Sequence, residues 1–409
     1  MGMAPGMNVK PYRISTGQTI LLLSMANIGA AQLYIPSLSY EALGRSGWLL
    51  PLAAIGVATL GGKVFARLGS QYHGRSYFDY ALVIGGKPFG RLAALLLAIA
   101  MLAFVPVVTK VFTALVSAEL LPKTPPVIIS MIILLISVFA AQHGIEALTR
   151  LTQIFSLAAL PLIMLLMLAP LLLPLEPGYL IPVSLVENMR VSASAAAAAS
   201  ASVASAAAAA AASGSMLSQS WIALAAGLMS FPGFTLMTVL TPFLDKPHHA
   251  GKVAFWGTLL PAVLVILSVA YPVMIFGWPA AATYARPFWE VLSVVQLAPA
   301  IPIQRLAYFL TITTRFISYI TLSVYWFAGA AGLKAVLMPK ATPYRRIIWG
   351  TAPIILAAVI FQRFTGGFPE EAAWIHIALA VSGLLIPALL LKIALFKRRV
   401  QDRKRGRRS

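Results

Sequence analysis

Apolar runs alternate with short polar segments along the chain, at about 17–38, 46–67, 92–121, 127–143, 150–173, 220–242, 253–276, 304–330, 346–361 and 373–396. A helix of about 20 apolar residues crosses the hydrocarbon core of a bilayer, so the pattern predicts an all-α polytopic membrane protein with ten transmembrane helices. The first run is interrupted near its middle by Asn27-Ile28-Gly29-Ala30-Ala31-Gln32 and is followed by Pro36. A comparable interruption, Met229-Ser230-Phe231-Pro232-Gly233-Phe234, falls in the sixth run. Backbone groups freed at membrane depth need a neighbour or a cavity, Pro232 cannot donate a helical hydrogen bond, and Gly233 permits unwinding. Two interruptions at matching places predict broken helices 1 and 6 around a binding site near the bilayer midplane. The competing reading is that these are ordinary packing and kink residues.

The connections follow the same logic. A tight turn around Glu41 to Gly47 makes the first two spans an antiparallel pair, and 68–91 reads as a polar loop containing Gly85-Gly86-Lys87. The third run lasts about thirty residues, so it must tilt or project. Residues 191–215 are a low-complexity block with 15 Ala and 7 Ser. Ala favours helix, but the block lacks the large apolar side chains that favour insertion, so it reads as an outer loop. Segment 278–303, with four prolines and Trp289, reads as an interfacial helix over the mouth of the site.

Composition agrees with the hydropathy pattern: 60% of the 409 residues are hydrophobic and 10% are charged. The net charge of +20 would point to nucleic acid in a soluble chain, but here topology accounts for it. With ten spans, most of the 31 Lys and Arg residues fall on the side of both termini, including nine between Lys392 and Arg408. The positive-inside rule then places both ends in the cytoplasm, and the tail 397–409 reads as an anchor on anionic membrane lipid rather than a partner-binding arm. The chain has no cysteine, which excludes disulfides and thiolate metal chemistry. His248-His249 reads as a solvated turn, since only Asp245 stands at ligand spacing. No enzyme motif, cofactor loop or metal set is expected.

Ionisable groups within spans mark candidate function. Lys110 lies in the third run and Arg315 in the eighth. Either can serve the site, snorkel, or pair with a carboxylate such as Glu119. Thr311, Thr314, Ser318 and Thr321 share one helix face, which either lines a cavity or back-bonds to the preceding turn. An amino-acid-like ligand suits these parts. Its carboxylate would meet N–H groups freed at Gly29, Ala30, Ala31 and Gln32, at the positive end of a half-helix. Its ammonium would meet carbonyls near Met229 and Ser230, the glycines at 29 and 233 would leave room, and Phe231 and Phe234 would wall its side chain.

Several short pieces in order, Arg13-Ile14-Ser15 with Gln18 and Gly29, Leu121-Pro122 with Thr124-Pro125, Gly144-Ile145-Glu146 with Arg150, Tyr271-Pro272-Val273 with Phe276-Gly277, and Arg305-Leu306, also carry a likeness. Over roughly 12–395 the chain resembles the B-subunit family of spore germinant receptors, within the amino acid–polyamine–organocation transporter superfamily. The resemblance implies a 5+5 inverted repeat of the leucine-transporter type: 1–174, an outer loop 175–219, and 220–396. It implies a nutrient-germinant receptor subunit in the spore inner membrane, acting with A and C subunits. The alternative is a proton-coupled amino acid permease. The ligand site carries over to Gly29 and its neighbours, Lys110, Ser230 to Gly233, and Thr311, Thr314, Arg315 and Ser318. Many members of the family have a Gly-Glu pair where this chain has Gly233-Phe234.

Overall fold

The computed structural model describes residues 13–72, 75–180, 231–284, 286–295, 306–337, 343–364 and 368–406. Among them the regular structure is helical, with one isolated parallel bridge between Ile14 and Leu244. Among the described residues seven helices are long and apolar enough to cross a membrane, and Pro126–Ala141 is a shorter apolar helix. The protein is polytopic and helical. Of the ten expected spans, these eight correspond to all but the first and the sixth.

The first is α1, Thr16–Leu43. Ser15 and Gln18 form a reciprocal capping box at its start, satisfying two N–H groups that the first turn leaves open. Its end is set by Gly44, which has a φ of 54° and bonds back to Tyr40. The expected interruption is absent: α1 runs as one 28-residue helix through Asn27–Gln32 and past Pro36. Weak propensity at Asn27 and Gly29 costs up to about 1 kcal/mol per residue, whereas each backbone group left unpaired in lipid costs several. Helix therefore wins. Residues 22–28 are buried on every side, as expected of a rod enclosed by others.

The second helix, α2, is Leu49–Gln71. The polar loop expected at 68–91 is largely helix, because Ser76 and Asp79 form a second capping box that starts α3, Tyr77–Glu119. Gly86 then bends α3, with φ 76° and ψ 177°, a conformation glycine adopts without strain. Beyond the bend Pro88–Ala118 forms the span, and its 31 residues reach roughly 45 Å, so it is tilted or projects as the sequence requires.

Two further helices, α4 (Pro126–Ala141) and α5 (Gly144–Leu168), are joined by a tight turn in which Gly144 has a φ of 84°. Their outward residues, among them Ile132, Phe139, Ile154 and Leu157, are exposed and apolar, as suits a lipid-facing side. The second half comprises α6 (Met237–Leu240), α7 (Ala250–Phe276), α8 (Ala280–Thr283), α9 (Pro287–Val294), α10 (Leu306–Leu337), α11 (Tyr344–Phe364), α12 (Phe368–Ala380) and α13 (Ile386–Gly406). A π-helical turn at Val381–Leu385 joins the last two. The short α9 buries Phe288, Val291 and Leu292 against α7 and α10.

At the centre, α1 packs on α7 and α10, and α10 packs on α3. Contacts of Ile14 with Phe243 and Asp245, Tyr344 with Gln142, and Lys397 with Ile84 gather at one end, here called the basic end. Contacts of Arg45 with Gly178, Tyr40 with Val269, and Lys110 with Gln362 lie toward the other.

Candidate functional site

The chain around the second interruption starts helix in an unusual way. Phe231 is non-helical, with φ −116° and ψ 67°, and Pro232 opens a 3₁₀ turn, Pro232–Leu236, that leads into α6. Proline suits that first position because its missing N–H would find no partner there anyway. Thr235, Thr238 and Thr241 then donate their hydroxyls to carbonyls one turn back, at 2.7, 2.6 and 2.5 Å. Ser230 and the first half of the expected sixth span lie outside the described residues.

Asn27 joins the two interrupted stretches. From α1, its Oδ1 accepts the N–H of Gly233 at 2.9 Å, and its Nδ2 donates to the carbonyl of Gly257 on α7 at 3.3 Å. A first-turn N–H of a helix lacks an intrahelical partner, so Asn27 caps the Pro232 turn from a different helix. A Cβ on Gly233 would lie 2.4 Å from Asn27 Oδ1, so a larger residue there would displace the capping amide.

The hydroxyl row on α10 divides its work. Ser318 donates to the carbonyl of Gly29 at 3.0 Å, and Thr321 to that of Ala26 at 3.0 Å. Thr311 and Thr314 bond back to their own helix, at 3.2 Å to Ala307 and 2.8 Å to Leu310. Ser318 and Thr321 bond back as well, at 2.8 Å to Thr314 and 3.4 Å to Ile317, so every hydroxyl of the row follows the back-bonding reading and these two additionally reach α1. Gly29 lets the two helices approach closely: a Cβ there would meet Thr321 Oγ1 at 2.4 Å and the Ile317 carbonyl oxygen at 3.0 Å.

Two sequence expectations about room for a ligand are thereby corrected. Thr321 fills the space beside Gly29, and Asn27 fills that beside Gly233. The N–H groups of Gly29, Ala30, Ala31 and Gln32 belong to the continuous α1; the side chains of Ala30, Ala31 and Gln32 lie outside the described residues. Phe231 is buried. The ring of Phe234 packs where a Cβ on Gly61 of α2 would be, 2.5 Å away, so its place is between helices.

The intramembrane cations sit on the α3 side. Arg315 is 7% exposed, and its guanidinium lies 5.0 Å from the ring centroid of Phe112 on α3, a distance at which a cation and an aromatic face attract. Phe112 in turn meets Tyr319 edge-on, with centroids 5.3 Å apart. Lys110, one of the expected site residues, donates to the carbonyl of Gln362 at 2.7 Å. That carbonyl lies in the last turn of α11, where lysine caps helices and complements the dipole. The side chain of Glu119 lies outside the described residues.

Two features were missed in the sequence. His376 on α12 is fully buried and meets Phe104 edge-on, with centroids 5.5 Å apart, while Tyr325 of α10 lies against the same Phe104 at 4.6 Å. The π turn at Val381–Leu385 faces the Pro232 turn, since a Cβ on Gly383 would lie 2.4 Å from Thr235 Cγ2. A histidine inside the tenth apolar run was a legible signal; a π turn leaves none in composition.

At the basic end a seam closes beneath these elements. Ile14 N–H donates to Phe243 at 2.7 Å, and Asp245 N–H donates to Ile14 at 3.1 Å. Thr16 Oγ1 and His249 Nδ1 are 3.2 Å apart. Partial desolvation, then the charges of His248, Lys252 and Lys246, hold the His249 pKa below the ordinary histidine value. Among the described residues no cluster of His, Asp, Glu or Cys has the arrangement of a metal site.

Comparison with known proteins finds sequence likeness along nearly the whole chain. The chain is 21% identical to spore germination protein YndE of Bacillus subtilis over 395 residues, covering 95% of this chain and 98% of that protein. It is 22% identical to spore germination protein B2 of the same organism over 311 residues, 75% of each chain. A family described as spore germination protein matches residues 13–195 and 217–365. With the bundle from α1 through α11, including the central helices α1, α3, α7 and α10, inside the matched residues, the chain belongs to the spore germination protein family.

Proposed function

We propose that the chain is the ligand-binding membrane subunit of a nutrient-germinant receptor in the spore inner membrane. In this reading ten spans form a 5+5 repeat with both termini cytoplasmic. A small amino-acid-like ligand is held at the midplane among α1, α3, α10 and the Pro232 turn, and the signal passes to A and C subunits. The observation that carries the reading is the meeting of α1, α7 and the Pro232 turn at Asn27, beside the hydroxyl row of α10. Three elements joined through side chains rather than through one continuous helix can move relative to one another when a ligand arrives.

Because α1 keeps its own N–H groups occupied, the ligand carboxylate belongs instead at Arg315, flanked on α10 by Thr311, Thr314 and Ser318. Carbonyls beside Ser230 and Phe231 receive the ammonium, with Gly29 and Gly233 marking the floor rather than the open space. A charged hydrogen bond is worth about 1.5–3 kcal/mol, so Arg315→Gln is expected to weaken amino acid binding roughly tenfold to a hundredfold. Arg315→Lys is expected to recover part of the loss.

The experiment is equilibrium binding of a radiolabelled panel of L-amino acids to the purified full chain in nanodiscs, beside uptake in proteoliposomes. Saturable binding without flux, weakened by Arg315→Gln, supports the receptor. Proton-driven flux would replace it with a permease, and absence of binding to every amino acid would overturn the ligand class.

A further inference from the structure

Arg315 has a second arginine near it, at the end of the bundle opposite the basic one. Arg286 stands at the start of α9, and its guanidinium lies 5.6 Å from the ring centroid of Trp289, one turn further on. Phe288 stacks on Tyr271 of α7, with centroids 6.4 Å apart, which ties α9 to the bundle. Trp289 meets Tyr308 of α10 edge-on, with centroids 6.3 Å apart. Tyr308 and Arg315 are seven positions apart, so they share one side of α10 at a rise of about 10 Å. The charges of Arg286 and Arg315 lie within electrostatic reach of each other.

Like charges brought together away from water repel, and the rings of Trp289 and Phe112 offset only part of that cost. Ionisable groups held at such depth mark function. The groups around them are donors. Nε1–H of Trp289 is buried and makes no hydrogen bond among the described residues, and a guanidinium has no acceptor atom. The described carboxylates at this end are Glu176 and Glu290, and neither forms an ion pair among the described residues. A place of this kind favours a ligand that brings acceptors and negative charge to both heights. Two guanidiniums reaching in from elements two turns apart serve two anionic groups on one small molecule.

We infer that Arg286 and the indole N–H of Trp289 receive a second carboxylate, so that the ligand is a dicarboxylic amino acid. This rests on the reading that Arg315 holds the α-carboxylate. The side-chain carboxylate then points toward α9, accepting from Trp289 Nε1 and lying between the two positive charges. A neutral apolar amino acid leaves that N–H unmet and does nothing to reduce the repulsion. A site built around buried polar groups rejects a ligand lacking their partner far more strongly than an apolar pocket rejects a poor fit.

The experiment is equilibrium binding of radiolabelled L-glutamate, L-aspartate, L-glutamine and L-asparagine to the purified full chain in nanodiscs at neutral pH. A hydrogen bond to a charged group changes affinity about tenfold to a hundredfold. Glutamate or aspartate is therefore expected to bind at least about tenfold more tightly than its own amide. Arg286→Gln should bring the acid to the affinity of the amide, and Arg286→Lys should keep part of the preference. Trp289→Phe retains a ring beneath Arg286 but removes the N–H, so the preference should fall roughly threefold to tenfold. Equal affinity for acid and amide, binding confined to neutral amino acids, or a preference that survives Arg286→Gln would overturn the inference and leave the amino acid reading in place. Absence of binding to these ligands and to the wider panel of L-amino acids would overturn both.

Discussion

Asn27 and Gly233 face each other across one hydrogen bond, yet the chain on either side is built in two ways. Around Asn27 a tract rich in weak helix formers stays helical through Pro36. Around Gly233 the chain is non-helical at Phe231 and a 3₁₀ turn opens at Pro232. The difference lies in what each proline removes. Pro36, inside α1, deletes the bond to the Gln32 carbonyl, while Pro232, at a helix start, deletes nothing. The polar side chain of Asn27 does not unwind its own helix; it completes the start of the other. A polar residue in an apolar rod can therefore mark a partner's irregularity rather than its own.

The sharpest way to break this relation is Asn27→Leu, which keeps the branching of the side chain and strands the Gly233 N–H and Gly257 carbonyl. Each unsatisfied buried group costs about 1–3 kcal/mol, so a loss of roughly 2–4 kcal/mol is expected, read as a lowered unfolding midpoint in detergent; an unchanged midpoint would leave Asn27 without its capping role. Next comes the contrast between the prolines. Interior proline costs about 3 kcal/mol in a helix, so Pro36→Ala is expected to raise the midpoint. Pro232→Ala should lower it slightly, by under about 1 kcal/mol, through a freer unfolded chain. Equal effects from the two would erase the distinction.

Smaller still are Ser318→Ala and Thr321→Ala. The carbonyls they reach already lie in a continuous helix, so each loss is about 1 kcal/mol, and the pair should be close to additive. Much larger values would indicate that α1 relies on α10 for bonds it does not make itself.

The slightest effect is on the basic-end seam. His249 takes up a proton less readily in the closed seam than when released, because its pKa there is lowered. The seam is thus at full strength above the ordinary histidine value of about 6.5 and weakens as pH falls through that value toward the lowered one. Oxidative cross-linking of Ile14→Cys with Leu244→Cys should slow on acidification, and His249→Gln should flatten the profile.

Much of the bundle was legible because lipid makes helix the default wherever apolar residues run long enough. Lys110, Arg315, Gly29 and the α10 hydroxyls were also visible as anomalies of type. Their partners were not. Whether Gly29 opens space or admits Thr321 depends on a helix almost 300 positions away, and Lys110 reaches a carbonyl of α11 that no local pattern announces. The helical lead-in to the third span was hidden for another reason: a capping box at Ser76 and a bend at Gly86 look, in composition, like loop.

One contact at the opposite end has a consequence for how the chain is anchored. Arg45 donates to the carbonyls of Gly178 and Tyr179, and Trp48 to that of Leu180, just before the stretch that includes the Ala- and Ser-rich block. The family likeness lapses over 196–216, within that stretch. Clasped at Gly178 to Leu180 by the turn that follows α1, the chain is anchored to the bundle before that block begins, so the end of α5 is held by the bundle's own contacts.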